Sequence, residues 1–132
     1  MKRRMRMKKF MVVVILLVAT IGYADEWTKQ DTYRELAFIG LLAVDYLQTR
    51  TIVQNPDKYF EYNPIVGKHP TQQTVDIYMA SCAIIHPIIS YLLPVKSDKW
   101  KWINRESWQY ITIGIEIGAV GNNLGWGIGI SF

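Results

Sequence analysis

Three apolar stretches of this sequence each carry one ionisable side chain near the middle: Asp45, His86 and Glu116. A charge in a low-dielectric interior is costly unless it is paired, so each of these positions asks for a partner. A histidine meeting two carboxylates could hold a divalent metal or relay a proton. The same three residues could instead close a structural network that fixes the register of packed helices. Gln48 and Thr49 fall beside Asp45, and Gln109 and Asn122 stand ready as hydrogen-bond partners. Asp45, Gln48, Thr49, His86 and Glu116 are therefore the candidate polar cluster. No His-Glu-x-x-His, Gly-x-Ser-x-Gly or phosphate-loop spacing accompanies them, so neither a catalytic role nor a cofactor is specified.

Three blocks must position these groups. The first, 27–53, begins at Thr28 or Asp31, either of which can cap a helix, and it places Asp45, Gln48, Thr49 and Ile52 on one helical face. The second, 74–93, is the best candidate to span a bilayer. It is about 20 residues long, as a span requires, and it ends at Pro94, with Pro87 kinking it. The third, 105–122, reads as a helix with Gln109, Thr112, Glu116 and Asn123 on one face. Ile111, Ile113, Ile115 and Ile117 also alternate as in a strand, which leaves a β-hairpin over 109–132 as the alternative. The tail after Gly125 alternates apolar residues with glycine and reads as strand-like. The expected fold is thus mainly α, three helices around a Pro-rich loop. Gly114 and Gly118 form a small-x-x-x-small pair, which permits close helix contact.

Composition bounds the rest. The chain has 132 residues, enough for one small domain, and its single cysteine rules out an internal disulfide and a multi-cysteine zinc site. The net charge of +4 is misleading. Residues 1–24 hold six basic side chains and no acid, so the remainder is net negative and offers no basic stripe for nucleic acid. Residues 1–24 read as an export signal: a positive start, an apolar run from Phe10 to Ile21, then Gly22 and Ala24 at the −3 and −1 cleavage positions, with an N-terminal anchor as the alternative. A single membrane-associated domain over 25–132 would then lie in a bacterial envelope, at the inner membrane or its periplasmic surface. Lys96, Lys99, Lys101 and Arg105 between blocks two and three sit beside Trp100 and Trp102, as at a membrane–water boundary. A hairpin of blocks two and three with this loop inside obeys the positive-inside rule, whereas three spans after cleavage place it outside.

Residues 54–72 form a shaped loop: Asn55-Pro56, Asn63-Pro64, Gly67 and His69-Pro70 disfavour helix, while Tyr59, Phe60, Tyr62, Ile65 and Val66 require it to pack on something. A rigid turn at Asn63-Pro64 could set Glu61 and His69 against the Asp45 face, so Glu61, Asn63 and His69 are a second candidate site. Asp45-Tyr46-Leu47-Gln48-Thr49, then Glu61-Tyr62-Asn63-Pro64-Ile65-Val66-Gly67-Lys68-His69-Pro70, then His86-Pro87, resembles a group of small bacterial and phage membrane-associated proteins with no established activity. The resemblance covers roughly 27–132 and implies helices around a loop, with its motif residues as the place to look for a site.

The expected function is a non-enzymatic envelope protein held by a buried polar cluster. A membrane-embedded enzyme or metal protein using Asp45, His86 and Glu116 is the alternative, and a holin-like phage lysis or exclusion factor a further one. Membrane lipid is the expected partner, with a second copy or an envelope protein beside it, and no nucleic acid.

Overall fold

The computed structural model describes residues 25–96 and 103–132. Residues 1–24, where the sequence predicts an export signal and its cleavage site, and the Lys99–Trp102 part of the basic loop lie outside the described residues. Among the described residues three helices make the fold: α1 (Lys29–Gln54), α2 (Gln72–Leu92) and α3 (Arg105–Gly125).

Each helix starts on a side-chain cap that satisfies an otherwise orphaned amide. In α1, Thr28 and Asp31 act together. The Thr28 hydroxyl accepts from the Asp31 amide at 3.2 Å, and the Asp31 carboxylate accepts from the Thr28 amide at 2.8 Å, closing a capping box. Thr71 caps α2 through the Thr74 amide, and Asn104 caps α3 through the Ser107 amide. Endings are equally local. Pro56 follows the Asn55 cap of α1, Pro94 follows the Leu93 cap of α2, and α3 closes at Trp126 with Gly127 in the left-handed region, φ 70°. In the loop, Gly67 takes φ 85° and its amide returns to the Asn63 carbonyl, which forms the turn expected there.

The β-hairpin alternative for 109–132 is not what the chain forms. α3 runs unbroken to Gly125, and the described residues contain no strand. The isoleucine–glycine alternation is compatible with a helix because most of these residues point outward: Ile111, Ile115 and Ile117 are all more than half exposed. What decides the matter is the polar face of the same segment, whose Gln109 and Asn123 bond to α1 only at helical spacing. The strand-like tail is extended but has no sheet partner. It lies along α1, with the Ser131 amide donating to the Leu47 carbonyl and the Thr51 hydroxyl to the Gly129 carbonyl.

Helix α1 is the centre of the arrangement. It packs most extensively against α3 and next against α2, while α2 and α3 meet least, so a seam remains between them. The apolar core is small: Phe38, Leu42, Val75 and Met79, flanked by Ile39, Tyr78, Cys82 and Ile113. Burial is otherwise inverted. Among the described residues, ten of the sixteen buried ones are polar or charged, whereas twenty large apolar side chains are exposed. The exposed set on α2 includes Ile77, Ile84, Ile85 and Ile88. Helices α1 and α2 are both long and apolar enough to cross a membrane, and little of either apolar window is covered by protein. This differs from the expected hairpin of blocks two and three: α1 meets the length and hydropathy criterion and α3 does not. At 1.5 Å per residue, the 21 residues of α2 reach about 31 Å, the thickness of a bilayer core.

Candidate functional site

The polar interior is a stripe on each helix. Along α1, Asp31, Glu35, Phe38, Leu42, Asp45, Thr49 and Ile52 advance alternately by four and three residues. Along α3 the same steps connect Arg105, Gln109, Thr112, Glu116, Ala119 and Asn123. This spacing brings one side of a helix to a partner. Here the positions that usually hold apolar knobs hold hydrogen-bonding groups, arranged in two layers.

The first layer lies at the start of α1. Glu35 is its hub: one carboxylate oxygen receives Gln109 Nε2 at 2.9 Å and the Ser90 hydroxyl, and the other meets His86 Nδ1 at 2.9 Å. An acceptor-only carboxylate assigns the proton at that contact to His86 Nδ1. The other ring nitrogen, Nε2, stands 2.7 Å from the Thr112 hydroxyl, which also reaches the Trp108 and Gln109 carbonyls. The imidazole is clamped between Phe38, with centroids 3.6 Å apart, and Trp108, at 5.2 Å. Arg105 closes the layer. Its guanidinium is buried and bonds Asp31 Oδ2 at 3.2 Å, the Ser90 and Tyr91 carbonyls at the end of α2, and the Asp25 and Glu26 carbonyls ahead of α1. Arg34 joins Asp31 at 2.8 Å to the side chain of Gln109 at 2.7 Å.

The second layer lies under the loop. Asn123 Nδ2 donates to Asp45 at 3.0 Å and to Gln48 at 3.2 Å. Gln48 in turn donates to the Ile128 carbonyl, which ties the tail to the network. The Thr49 hydroxyl faces Glu61 at 3.4 Å, and Glu61 also accepts from the Asn63 amide at 2.8 Å. The Asn63 carbonyl oxygen of the side chain accepts from the Ile65 amide, an Asx turn that holds the loop above the layer. Asp45, Glu61, Asn63, Glu116, Asn122 and Asn123 line a common cavity.

The two candidate groups therefore recombine. Asp45, Gln48, Thr49, Glu61 and Asn63 come together, from the helix motif and the loop motif at once. His86 does not join them: it sits in the other layer, paired to Glu35 and Thr112. Glu116 lies between, lining the polar cavity and a second, apolar one that His86 also lines. His69 is exposed and lines neither cavity. No group of three or more His, Cys, Asp or Glu side chains placed to hold a metal occurs among the described residues. Among the described residues Gly114 and Gly118 serve no helix contact, because a Cβ on either meets nothing within 4 Å.

Glu35, Ser90 and the interior role of Arg105 escaped the sequence reading. Glu35 stands at the edge of a polar run rather than within an apolar block, and Arg105 reads as part of a basic loop. The signal that finds them is the four-three spacing applied to polar residues instead of apolar ones. Chemically, Glu35–His86–Thr112 has the order of a carboxylate, a base and a hydroxyl, but both rings flanking His86 and the two carbonyls at Thr112 hold it as a fixed contact. No family model, curated protein or solved structure matches this chain.

Proposed function

We propose that this chain is a non-enzymatic integral protein of the bacterial envelope, exported by its leader, whose helices are held together in the bilayer by a buried polar network. The observation that carries this reading is the inverted burial: polar side chains fill the interior while isoleucines of α2 and α3 face outward. In water that arrangement would leave these isoleucines facing solvent, where clustered apolar side chains mark an interaction surface. In lipid the outward isoleucines are solvated, and the buried polar groups of Asp31, Glu35, His86, Arg105, Gln109 and Asn123 meet partners on neighbouring segments instead of hydrocarbon. The resemblance to small membrane-associated bacterial and phage proteins agrees with it, as does the basic start of the sequence followed by small residues at Gly22 and Ala24.

The test is fractionation of expressing cells, followed by alkaline carbonate extraction of the membranes and mass measurement of the chain. The expected result is an alkali-resistant membrane protein beginning at Asp25. Recovery of the chain in the soluble fraction, or its release by carbonate, would overturn the reading.

A further inference from the structure

The seam between α2 and α3 opens into two adjoining cavities of opposite character. One, about 360 Å³, is apolar, with Phe38, Ile85, Ile89 and Trp108 in its walls. The other, about 390 Å³, lies beneath the loop and presents Asp45, Glu61, Asn63, Asn122 and Asn123. Tyr78, Ile115 and Glu116 line both, so the two meet at these side chains. Each cavity alone reaches the size of a small-molecule site, and joined they stay within that range.

The joint is also where the network is incomplete. Among the described residues Glu116 Oε2 is buried with no hydrogen-bond partner, as is Trp108 Nε1 in the apolar wall; for a native carboxyl this is a rare condition and one that a ligand donor would relieve. Three carboxyl groups line the polar cavity, and among the described residues no lysine or arginine stands in the wall of either cavity. A phosphate or sulfate head would meet like charge there. An ammonium head offers three donors to three carboxyl groups, and its chain would fill the apolar cavity.

We infer that the joined cavities bind a single-chain amphiphile with a primary ammonium head, the chain against Phe38 and Trp108 and the head at Glu116 among Asp45 and Glu61. The inference rests on the membrane reading, since the mouth of the apolar cavity between Ile85 and Ile115 would open on the acyl region. Site and bilayer would then share one source of ligand.

Dodecylamine carrying a diazirine on its chain is the probe, applied to the chain in phosphatidylcholine nanodiscs, with cross-links mapped by peptide mass spectrometry. Labelling should concentrate on Tyr78, Trp108 and Ile115, should be displaced by unlabelled dodecylamine, and should resist dodecanol, dodecyl maltoside and dodecyl phosphate. Glu116→Gln should weaken displacement at least about tenfold, the value of a lost hydrogen bond to a charged group. Ala119→Leu, which narrows the polar cavity without touching a carboxyl, should weaken it as well, so that the outcome does not hang on one variant. Labelling spread over Ile84 and Ile88, equal competition by dodecanol, maltoside or phosphate, or unchanged displacement in both variants would overturn the inference. A chain that keeps its alkali resistance but fails these tests loses only this inference. A chain released by alkali loses the membrane reading too.

Discussion

Arg105 is the side chain whose loss should cost the fold most. It is 1 % exposed and makes five hydrogen bonds, one to the Asp31 carboxylate and four to backbone carbonyls. Arg105→Met keeps the volume and removes every donor. Breaking a buried pair by deleting one partner costs about 3–5 kcal/mol. Asp31 retains Arg34 and Thr28, which places this case at the low end, about 3 kcal/mol. The Ser90 and Tyr91 carbonyls, deprived of a donor, add about 1 kcal/mol between them, while those of Asp25 and Glu26 lie nearer water. A loss of about 4 kcal/mol is a large share of a total stability of about 5–15 kcal/mol. At about 4 °C per kcal/mol, it should lower the midpoint of thermal unfolding by about 15 °C, followed by circular dichroism in nanodiscs. The double variant Arg105→Met with Asp31→Leu removes both charges and should recover part of the loss. If Arg105→Met unfolds within about 3 °C of the parent chain, the buried guanidinium does not hold the helix ends, and the account of the first layer is wrong.

Three further substitutions probe the other levels of the fold. Asn123→Asp replaces the donor to Asp45 and Gln48 with an acceptor, so it should destabilise by about 2–3 kcal/mol, measured by the same melts, and an unchanged midpoint would sever the second layer from stability. Gly114→Ala meets open space on a helical backbone and should stabilise by about 0.4–1 kcal/mol; a loss instead, with a change in mass on native electrophoresis, would mean that this face touches a second copy. Ile84→Arg puts a charge on the outward face of α2, where a bilayer penalises it by about 2.5–3.5 kcal/mol and water does not. Reduced membrane accumulation on quantitative blotting is expected for it, and a variant that accumulates normally would count against lipid on that face.

Much of this architecture is legible in the sequence. The caps at Thr28 and Asp31, the break at Asn55-Pro56 and the stop at Pro94 bound helices that the structure places within a few residues of expectation. The loop motif also reads through: Asn63-Pro64 and Gly67 form the turn, and the turn sets Glu61 on the Asp45 face. His69 fails because a turn fixes the direction of the chain and not the aim of each side chain on it. The assignment of His86 fails for a geometric reason. Asp45 and His86 each sit at the middle of an apolar block, but mid-block positions on antiparallel neighbours face one another only when the blocks are in register. α2 is offset so that His86 meets Glu35, ten residues earlier on α1 than Asp45. Offsets of this kind are set by loop length and by the partner stripe, neither of which single-helix periodicity contains. The hairpin alternative had the opposite fault: period-two alternation describes mainly outward-facing residues of 109–117, while the deciding residues are the polar ones.

That division of labour is the physical core of the proposal. In water, helices associate because apolar faces leave the solvent, and polar stripes merely decorate the outside. In a bilayer, hydrocarbon solvates isoleucine as well as another helix does, so apolar contact hardly distinguishes the packed bundle from separated helices. What distinguishes them is the polar stripe. Glu35, His86, Gln109 and Arg105 have good partners only in one register, and each would stand in hydrocarbon if its helix slid by a turn. The network therefore encodes both association and register, which explains why so few apolar residues are buried. Glu116 departs from this logic: it occupies a core position on α3, between Thr112 and Asn123, yet keeps an oxygen without a partner. A stripe whose other polar members are bonded within the chain, interrupted at the junction of two cavities, is where selection for something other than folding would leave its mark.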